Sequence, residues 1–511
     1  MTGDTEQATR AGSRREAQLV VALAAFAFLR VFLFASVLPF FHGIDEHLHF
    51  DLLQKYSRGF LPGSEPATLD AVTVGLLAAH GSPEYLKGPE AFENGRVPTP
   101  EETRAKRPPG SAAHRKVVAW YTQWKNFEAE GPPTYYVLGG AWLKLGRTIG
   151  LQEIQLLYWV RWLNPMLAAA VVVATYAFLR RRCPGDAFRR LGPCVFLAGY
   201  PNDLNYGVTA DALSIGLGAL CFFGLVRMRE APRSLLVAAA TGLAIGLAFL
   251  NKYPNVLFAG VALILFGLAL REARRTHTLP AEWARWSLLW LAAAAPACWW
   301  LERNLRVVGS LTGAHHKMEI LGWSYHGLDQ VLAHPLIGLR GWFEFIPTLL
   351  LTFWQGEFAW HGKPTHNGIV DAIYVISSLV CVGVAAASWL RAGAVARAAS
   401  LRVEGVALLA VAAGVTVLAA LSTLFDFGVE SGPLSREFPY FASGRLIAGT
   451  VVPFAIVYCH GAERLWSRAP ARLARLGPWI VLCAVLAIAL GWQLAVFRDA
   501  FASPWNWYHA R

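Results

Sequence analysis

"LVVALAAFAFLRVFLFASVLPFFHGIDEHLHFD", residues 19–51, decides the fold. Its first part, 19–41, is an almost unbroken apolar run. Such a run is long enough to carry a helix across the roughly 30 Å hydrocarbon core of a bilayer. It is too long for a secretory h-region and lacks a convincing small-x-small cleavage site, so it reads as a retained anchor. Straight after it come Asp45, Glu46, His47, His49 and Asp51, at the mouth of that membrane. The question is what ionisable groups do there.

Runs of the same kind recur along the chain. Of the 511 residues 55% are apolar and only 16% charged, against about 25% charged in an ordinary soluble domain. The clear spans are 19–41, 156–179, 190–205, 208–226, 235–250, 254–270, 286–301, 369–390, 404–424, 444–462 and 477–497. The seven cysteines form no CxxC pair and sit in or beside apolar runs. They read as buried thiols, not as a disulfide framework.

Basic residues cluster between alternate spans. Arg10, Arg14 and Arg15 precede the first; Arg180, Arg181, Arg182, Arg189 and Arg190 follow the second. Then come Arg227, Arg229 and Arg233; Arg271, Arg274, Arg275 and Arg285; Arg391, Arg397 and Arg402; and Arg464, Arg468, Arg472 and Arg475. If those eleven spans cross, every cluster falls on one side, which the positive-inside rule makes cytoplasmic. The net charge of +12 is then a topology signal, and nucleic acid is not the expected partner. Two further apolar stretches, 133–149 and 335–354, carry Lys144 and Arg147, and Arg340, Glu344 and Pro347. They read as interfacial or re-entrant helices on the outer side.

The expectation is an all-α, polytopic integral membrane protein of about 11–13 transmembrane helices, in the cell membrane with a cytoplasmic N-terminus. Its parts are a cytoplasmic tail 1–18, the anchor 19–41, and an extracytoplasmic loop 42–155 with amphipathic helices. Transmembrane helices 156–301, an outer loop 302–368, transmembrane helices 369–497 and a short outer tail 498–511 follow.

On that topology acids, amides, histidines and aromatics gather on the outer face. The segments are 42–132, "YPNDLNYGVTAD" (200–211), "LNKYPN" (250–255), 302–368 and "DFGVESGPLSREFPYFASGR" (426–445). Ionisable groups at membrane helix ends are costly and often functional. If 44–58 is a helix, Asp45 and His49 share a face by i,i+4 spacing, His47 and Asp51 form a second pair, and Leu48, Leu52 and Leu53 face lipid. The plainer reading is a helix start with acids complementing its dipole. Arg30, in the middle of the first span, reads as a structural pairing residue.

No Walker A pattern, dinucleotide glycine fingerprint or G-x-S-x-G elbow is present. An enzyme on the outer face can use a substrate that arrives in the lipid, and a polyprenyl-phosphate sugar fits. Sugar transfer from it needs a carboxylate to take the acceptor proton and a cation to stabilise the departing phosphate. Asp45 can be the first; Lys252, Arg303, Arg306 and Arg445 are candidates for the second, each also readable as a snorkelling side chain. A divalent metal, Mg or Mn, is an alternative cation. Asp45, Glu46 and His49 are its foremost candidate ligands, with Asp203, Asp211 and Glu357 also possible.

The motifs resemble those of polytopic glycosyltransferases of the C fold (GT-C). "DEHLHFDLLQKYSRG" resembles their D-E-x-x-H-F pattern after the first helix, and "GPPTYYVL" their P-P-x-Y-Y segment. "YPNDLNYGVTADAL" resembles their segment where an Asn or Asp ends a short helix, and "NKYPNVLF", "LTFWQGEFAWHG" and "GRLIAGTVVPFAIV" are similar to segments of a bacterial branch of predicted membrane proteins (DUF2142-like). The resemblance implies a lipid-phosphate-sugar donor and a catalytic Asp, which maps onto Asp45 with Glu46 beside it. Within the matching segments His49, Tyr135, Tyr136, Asp203, Asp211, Tyr253 and Glu357 are candidate substrate-binding residues. The acceptor would be a glycan, lipid or protein, engaged by loops 42–132 and 302–368 or by a partner protein. The competing readings are a transporter or flippase for lipid-linked sugars and a non-catalytic membrane subunit.

Overall fold

The computed structural model describes residues 2–43, 45–231, 234–393, 403–428 and 434–509. Arg233, Arg397 and Arg402 of the basic clusters lie outside the described residues, as does 429–433 within the segment 426–445.

The protein is a polytopic bundle of helices. Among the described residues eight helices are long and apolar enough to cross a bilayer: Arg14–Val37, Glu153–Arg180, Ala210–Glu230, Tyr253–Thr276, Gly368–Arg391, Glu404–Leu424, Gly444–Trp466 and Ala471–Val496. Large apolar side chains such as Leu29, Leu236, Ile369 and Ile480 remain on the outside, where hydrocarbon covers them. The only pairings of strands among the described residues are two-residue ribbons, Ser324–Tyr325 with Phe425–Asp426 and Ala359–Trp360 with Lys363–Pro364.

Some of the expected spans have other bounds in the structure. The expected 190–205 span ends at Gly199. Tyr200 is extended (φ −60°, ψ 113°) because Pro201 disfavours a helical residue before it. Asn202 then caps a short 3₁₀ turn, Asp203–Asn205, by accepting from the Leu204 amide. This early stop leaves Asp203 in a loop. The 235–250 span is the short helix Leu235–Phe249, and 286–301 lies inside a 29-residue helix, Leu279–Val307. The stretches 133–149 and 335–354 are the helices Thr134–Thr148 and Leu339–Gln355.

The first helix stops at Val37, just ahead of Leu38-Pro39. Arg30, buried within it, donates to the Ala198 carbonyl (3.1 Å) and the Tyr206 hydroxyl (2.5 Å). It thus pairs with neutral oxygens that bind the first helix to the 187–206 segment. Gly444–Trp466 is the centre of the bundle, with 89% of its most apolar stretch buried. Helices Ala187–Gly199, Gly368–Arg391, Glu404–Leu424 and Ala471–Val496 pack around it. Whatever lies at its start is therefore surrounded by protein.

The helix after the anchor is Glu46–Tyr56, with Asp45 as its N-cap. Leu48, Leu52 and Leu53 are buried, which corrects the lipid-facing expectation. The helix Thr134–Thr148 lies across them; a Cβ at Gly139 would meet the Leu53 side chain and one at Gly140 would come within 3.0 Å of the Ser57 backbone, so the two helices approach closely at these glycines. The expected His47–Asp51 pair does not form. Asp51 instead pairs with Lys55 (2.6 Å) and accepts from the Asp70 amide (2.6 Å) and Asn126 (2.8 Å). It ties these loop segments together and is fully buried.

Candidate functional site

The start of the central helix carries Arg445 in among the loop segments that follow the first helix and precede helices Ala210–Glu230 and Gly368–Arg391. Its guanidinium faces Glu357 (Nε–Oε2 3.1 Å), Asp45 (Nη2–Oδ2 3.9 Å) and Asp211 (Nη1–Oδ2 4.0 Å). Three segments remote in sequence thus bring carboxylates to one cation.

Each carboxylate is placed for a local reason. Asp45 has left-handed backbone angles (φ 56°, ψ 11°) and makes no side-chain cap bond. Asp tolerates that conformation better than most residues. The turn frees its side chain from capping and lets it face Arg445. Asp211 lies in the first turn of helix Ala210–Glu230, where the dipole favours an acid. Its Oδ2 accepts from the Thr209 hydroxyl (3.1 Å), and Lys252 closes a short ion pair on Oδ1. Glu357 follows Gly356, whose φ of +83° suits glycine; a Cβ there would collide with the Asp203 carboxylate. That contact seats Asp203, which accepts from the Glu357 amide (3.2 Å).

Burial, with the charge of Glu357 added, pushes the Asp203 carboxyl up to about 7. Burial lowers the Lys252 ammonium from its ordinary value, although Asp211 opposes this. Glu128, near His49 and Lys252, is pushed up by burial, but Lys317 and His49 overcome it and hold it at about 2. The site thus holds a carboxyl that changes charge near neutral pH beside groups that keep theirs.

An open cavity adjoins this cluster. Glu46, Asp203, Glu357 and Arg445 line it, together with His42, Tyr85 and Phe358. Glu46 is completely buried and taken up by Arg161, through Nε to Oε1 (2.7 Å) and Nη2 to Oε2 (2.6 Å). The Val208 amide donates to Oε1 as well (2.9 Å). Arg161 also donates to the carbonyls of Ala35, Leu38 and Pro39. Glu46 therefore fixes the turn that presents Asp45, and its oxygens are already engaged.

The other candidates make no ion pair with Arg445. His49 meets the Tyr136 hydroxyl (2.8 Å) and is buried; Tyr135 is buried on the same helix. Tyr253 donates to the Thr312 carbonyl (2.8 Å). Arg303 donates to the Pro62 carbonyl and lies over Trp300. Arg306 is exposed and pairs with Glu302. Of the four candidate cations, only Arg445 and Lys252 reach the carboxylates. The foremost metal set, Asp45, Glu46 and His49, does not converge, and among the described residues no three His, Cys, Asp or Glu form a metal-holding group. A guanidinium stands between the acids, where an ion would need to be.

Arg161, Glu128 and His42 were not singled out from sequence. Arg161 had a signal, being a charge inside the apolar run 156–179. The other two had none, because their neighbours come from distant segments.

The family of predicted membrane proteins DUF2142 matches residues 28–426. The chain belongs to this family. No curated protein matches it. Among solved structures, this DUF2142 protein is similar to the Archaeoglobus fulgidus oligosaccharyltransferase complex with Zn and sulfate, at 11% identity and a TM-score of 0.38, covering 91% of this chain and 53% of that one. The apo form gives 10% identity and a TM-score of 0.37, covering 93% and 55%. The archaeal oligosaccharyltransferase AglB from the same organism, in complex with an inhibitory peptide and a dolichol-phosphate, gives the same values. The chain spans about half the length of these structures. A likeness at such scores carries no weight for activity.

Proposed function

We propose that this DUF2142 protein is an integral-membrane glycosyltransferase of the GT-C type. It moves a sugar from a polyprenyl-phosphate donor to a cell-envelope glycan, glycolipid or protein acceptor on the extracytoplasmic face of the cell membrane. The observation that carries this reading is the convergence of Asp45, Asp211 and Glu357 on Arg445 beside an open cavity. The motif resemblance to C-fold glycosyltransferases at Asp45 and Glu46 adds to it.

In this reading the Asp45 carboxylate accepts the proton of the acceptor hydroxyl as its oxygen attacks the anomeric carbon. The bond from that carbon to the phosphate oxygen breaks as the new glycosidic bond forms, and the lipid phosphate leaves with the electron pair. Arg445 and Lys252 stabilise that developing charge. One displacement at one carbon inverts its configuration. Glu46 acts through Arg161 as a positioning residue, and Asp203 and Glu357 line the cavity. No step is routed through a metal, since the candidate ligands do not form a set that fits one.

The test is Asp45→Asn in the purified full-length protein, supplied with a polyprenyl-phosphate hexose and membrane-derived acceptor. Transfer is expected to fall about 10²- to 10⁴-fold, with melting and lipid binding unchanged. Normal turnover in that variant would remove Asp45 from the reaction.

A further inference from the structure

The cavity has a neutral wall that the reaction above leaves unused. His42 lines it, 2% exposed, and neither of its ring nitrogens has a hydrogen-bond partner in the protein. The ring lies parallel to Trp360 (4.7 Å between centroids, 11°) and nearly parallel to Phe358 (5.6 Å, 16°). Tyr85 meets it edge-on at 5.2 Å. Trp360 Nε1 is likewise buried without a partner.

Buried polar atoms are almost always bonded, and leaving them unpaired is costly. The two His42 nitrogens at a cavity wall call for a ligand that completes them, and Trp360 Nε1, on the ring stacked against His42, is a third such atom. Burial, with Arg161 nearby, pushes His42 down to about 3, so the imidazole is neutral. A neutral imidazole offers one N–H donor and one lone-pair acceptor. Hydroxyl groups match both, since each can donate and accept. The surrounding ring faces suit an amphipathic ligand with apolar C–H surface. His42, Tyr85, Phe358 and Trp360 carry no charge, so this patch itself offers no counter-ion to an anionic sugar.

We infer that His42, with Trp360 and Tyr85, forms a subsite for an uncharged pyranose ring. The inference rests on the glycosyl-transfer reading for the sugar's origin, but its test does not require transfer.

The full-length protein in nanodiscs is probed by saturation-transfer NMR with methyl glycosides of neutral hexoses and with methyl glucuronide. The wild type is expected to bind a neutral glycoside and to give weaker transfer to the glucuronide. H42F keeps the aromatic packing and removes both nitrogens. It should weaken the neutral glycoside about tenfold or more, while the protein melts no lower than wild type. W360F, which removes one N–H and keeps a ring, should weaken binding less. No transfer to any neutral glycoside in the wild type overturns the subsite, as does unchanged binding in H42F. If H42F melts lower, W360F decides, and unchanged binding there overturns the inference. A parallel arm compares polyprenyl phosphate with and without a hexose. Glycoside binding through His42 without use of the lipid-linked hexose keeps the subsite and removes the transfer reading. Turnover of the lipid-linked hexose with glycoside binding insensitive to both variants does the reverse.

Discussion

Glu46→Gln separates positioning from chemistry in the acidic pair that follows the anchor. Glu46 and Arg161 are fully buried and joined by two hydrogen bonds of 2.7 and 2.6 Å. Replacing the carboxylate by an amide leaves Arg161 a buried charge with only carbonyls and no counter-ion. It also turns an NH₂ group toward donors that needed an acceptor. Breaking a buried pair from one side costs about 3–5 kcal/mol, a large part of the roughly 5–15 kcal/mol that holds a typical domain. Arg161 also staples the carbonyls at 35, 38 and 39, so the loss falls on the turn that presents Asp45. E46Q should therefore melt well below wild type and lose transfer in step with that loss. Thermal unfolding followed by tryptophan fluorescence, together with the hexose-transfer assay, reads both. A variant that melts like wild type yet transfers nothing would place Glu46 in the chemistry and refute the positioning argument.

The other predictions concern the groups around Arg445. Asp203 has a folded pKa raised from 3.8 to about 7, so the folded state binds the proton more tightly than the unfolded one. Its effect on stability is absent below the unfolded value and becomes a loss as pH rises from about 4 through about 7. Asp203→Asn should flatten that fall when melting is measured across the range; an unchanged slope would remove Asp203 as its source. Arg445→Ala should weaken binding of polyprenyl phosphate by about 2–5 kcal/mol, measured by lipid titration. Lys252→Ala should act in the same direction, and unchanged affinity in both would leave them as structural ions. Gly356→Ala combines a positive φ with a Cβ that meets Asp203. A loss of about 1–3 kcal/mol is expected, and wild-type melting would show that the loop relaxes freely.

Much of the molecule is legible in the order of its residues. A run such as 19–41 must cross or be buried whatever its neighbours do, because unsatisfied backbone polar groups are intolerable in hydrocarbon. Hence the all-α class and the spans 369–390, 404–424 and 444–462 follow from hydropathy. Local rules also place Asp45 at a helix start and Asp211 in the first turn of another helix, since these depend on nearest neighbours. Tertiary structure alone decides which charges meet. Arg303, Arg306, Lys252 and Arg445 look alike as cations at helix ends. Only the docking of the buried 444–466 helix brings Arg445 between Asp45, Asp211 and Glu357. The same holds for Glu46, which reads as Asp45's equal until Arg161, over a hundred positions away, claims both its oxygens. Hydropathy acts on each segment by itself, whereas an ion pair needs two side chains within a few ångströms. That separation is set by how helices pack, and no local pattern encodes it.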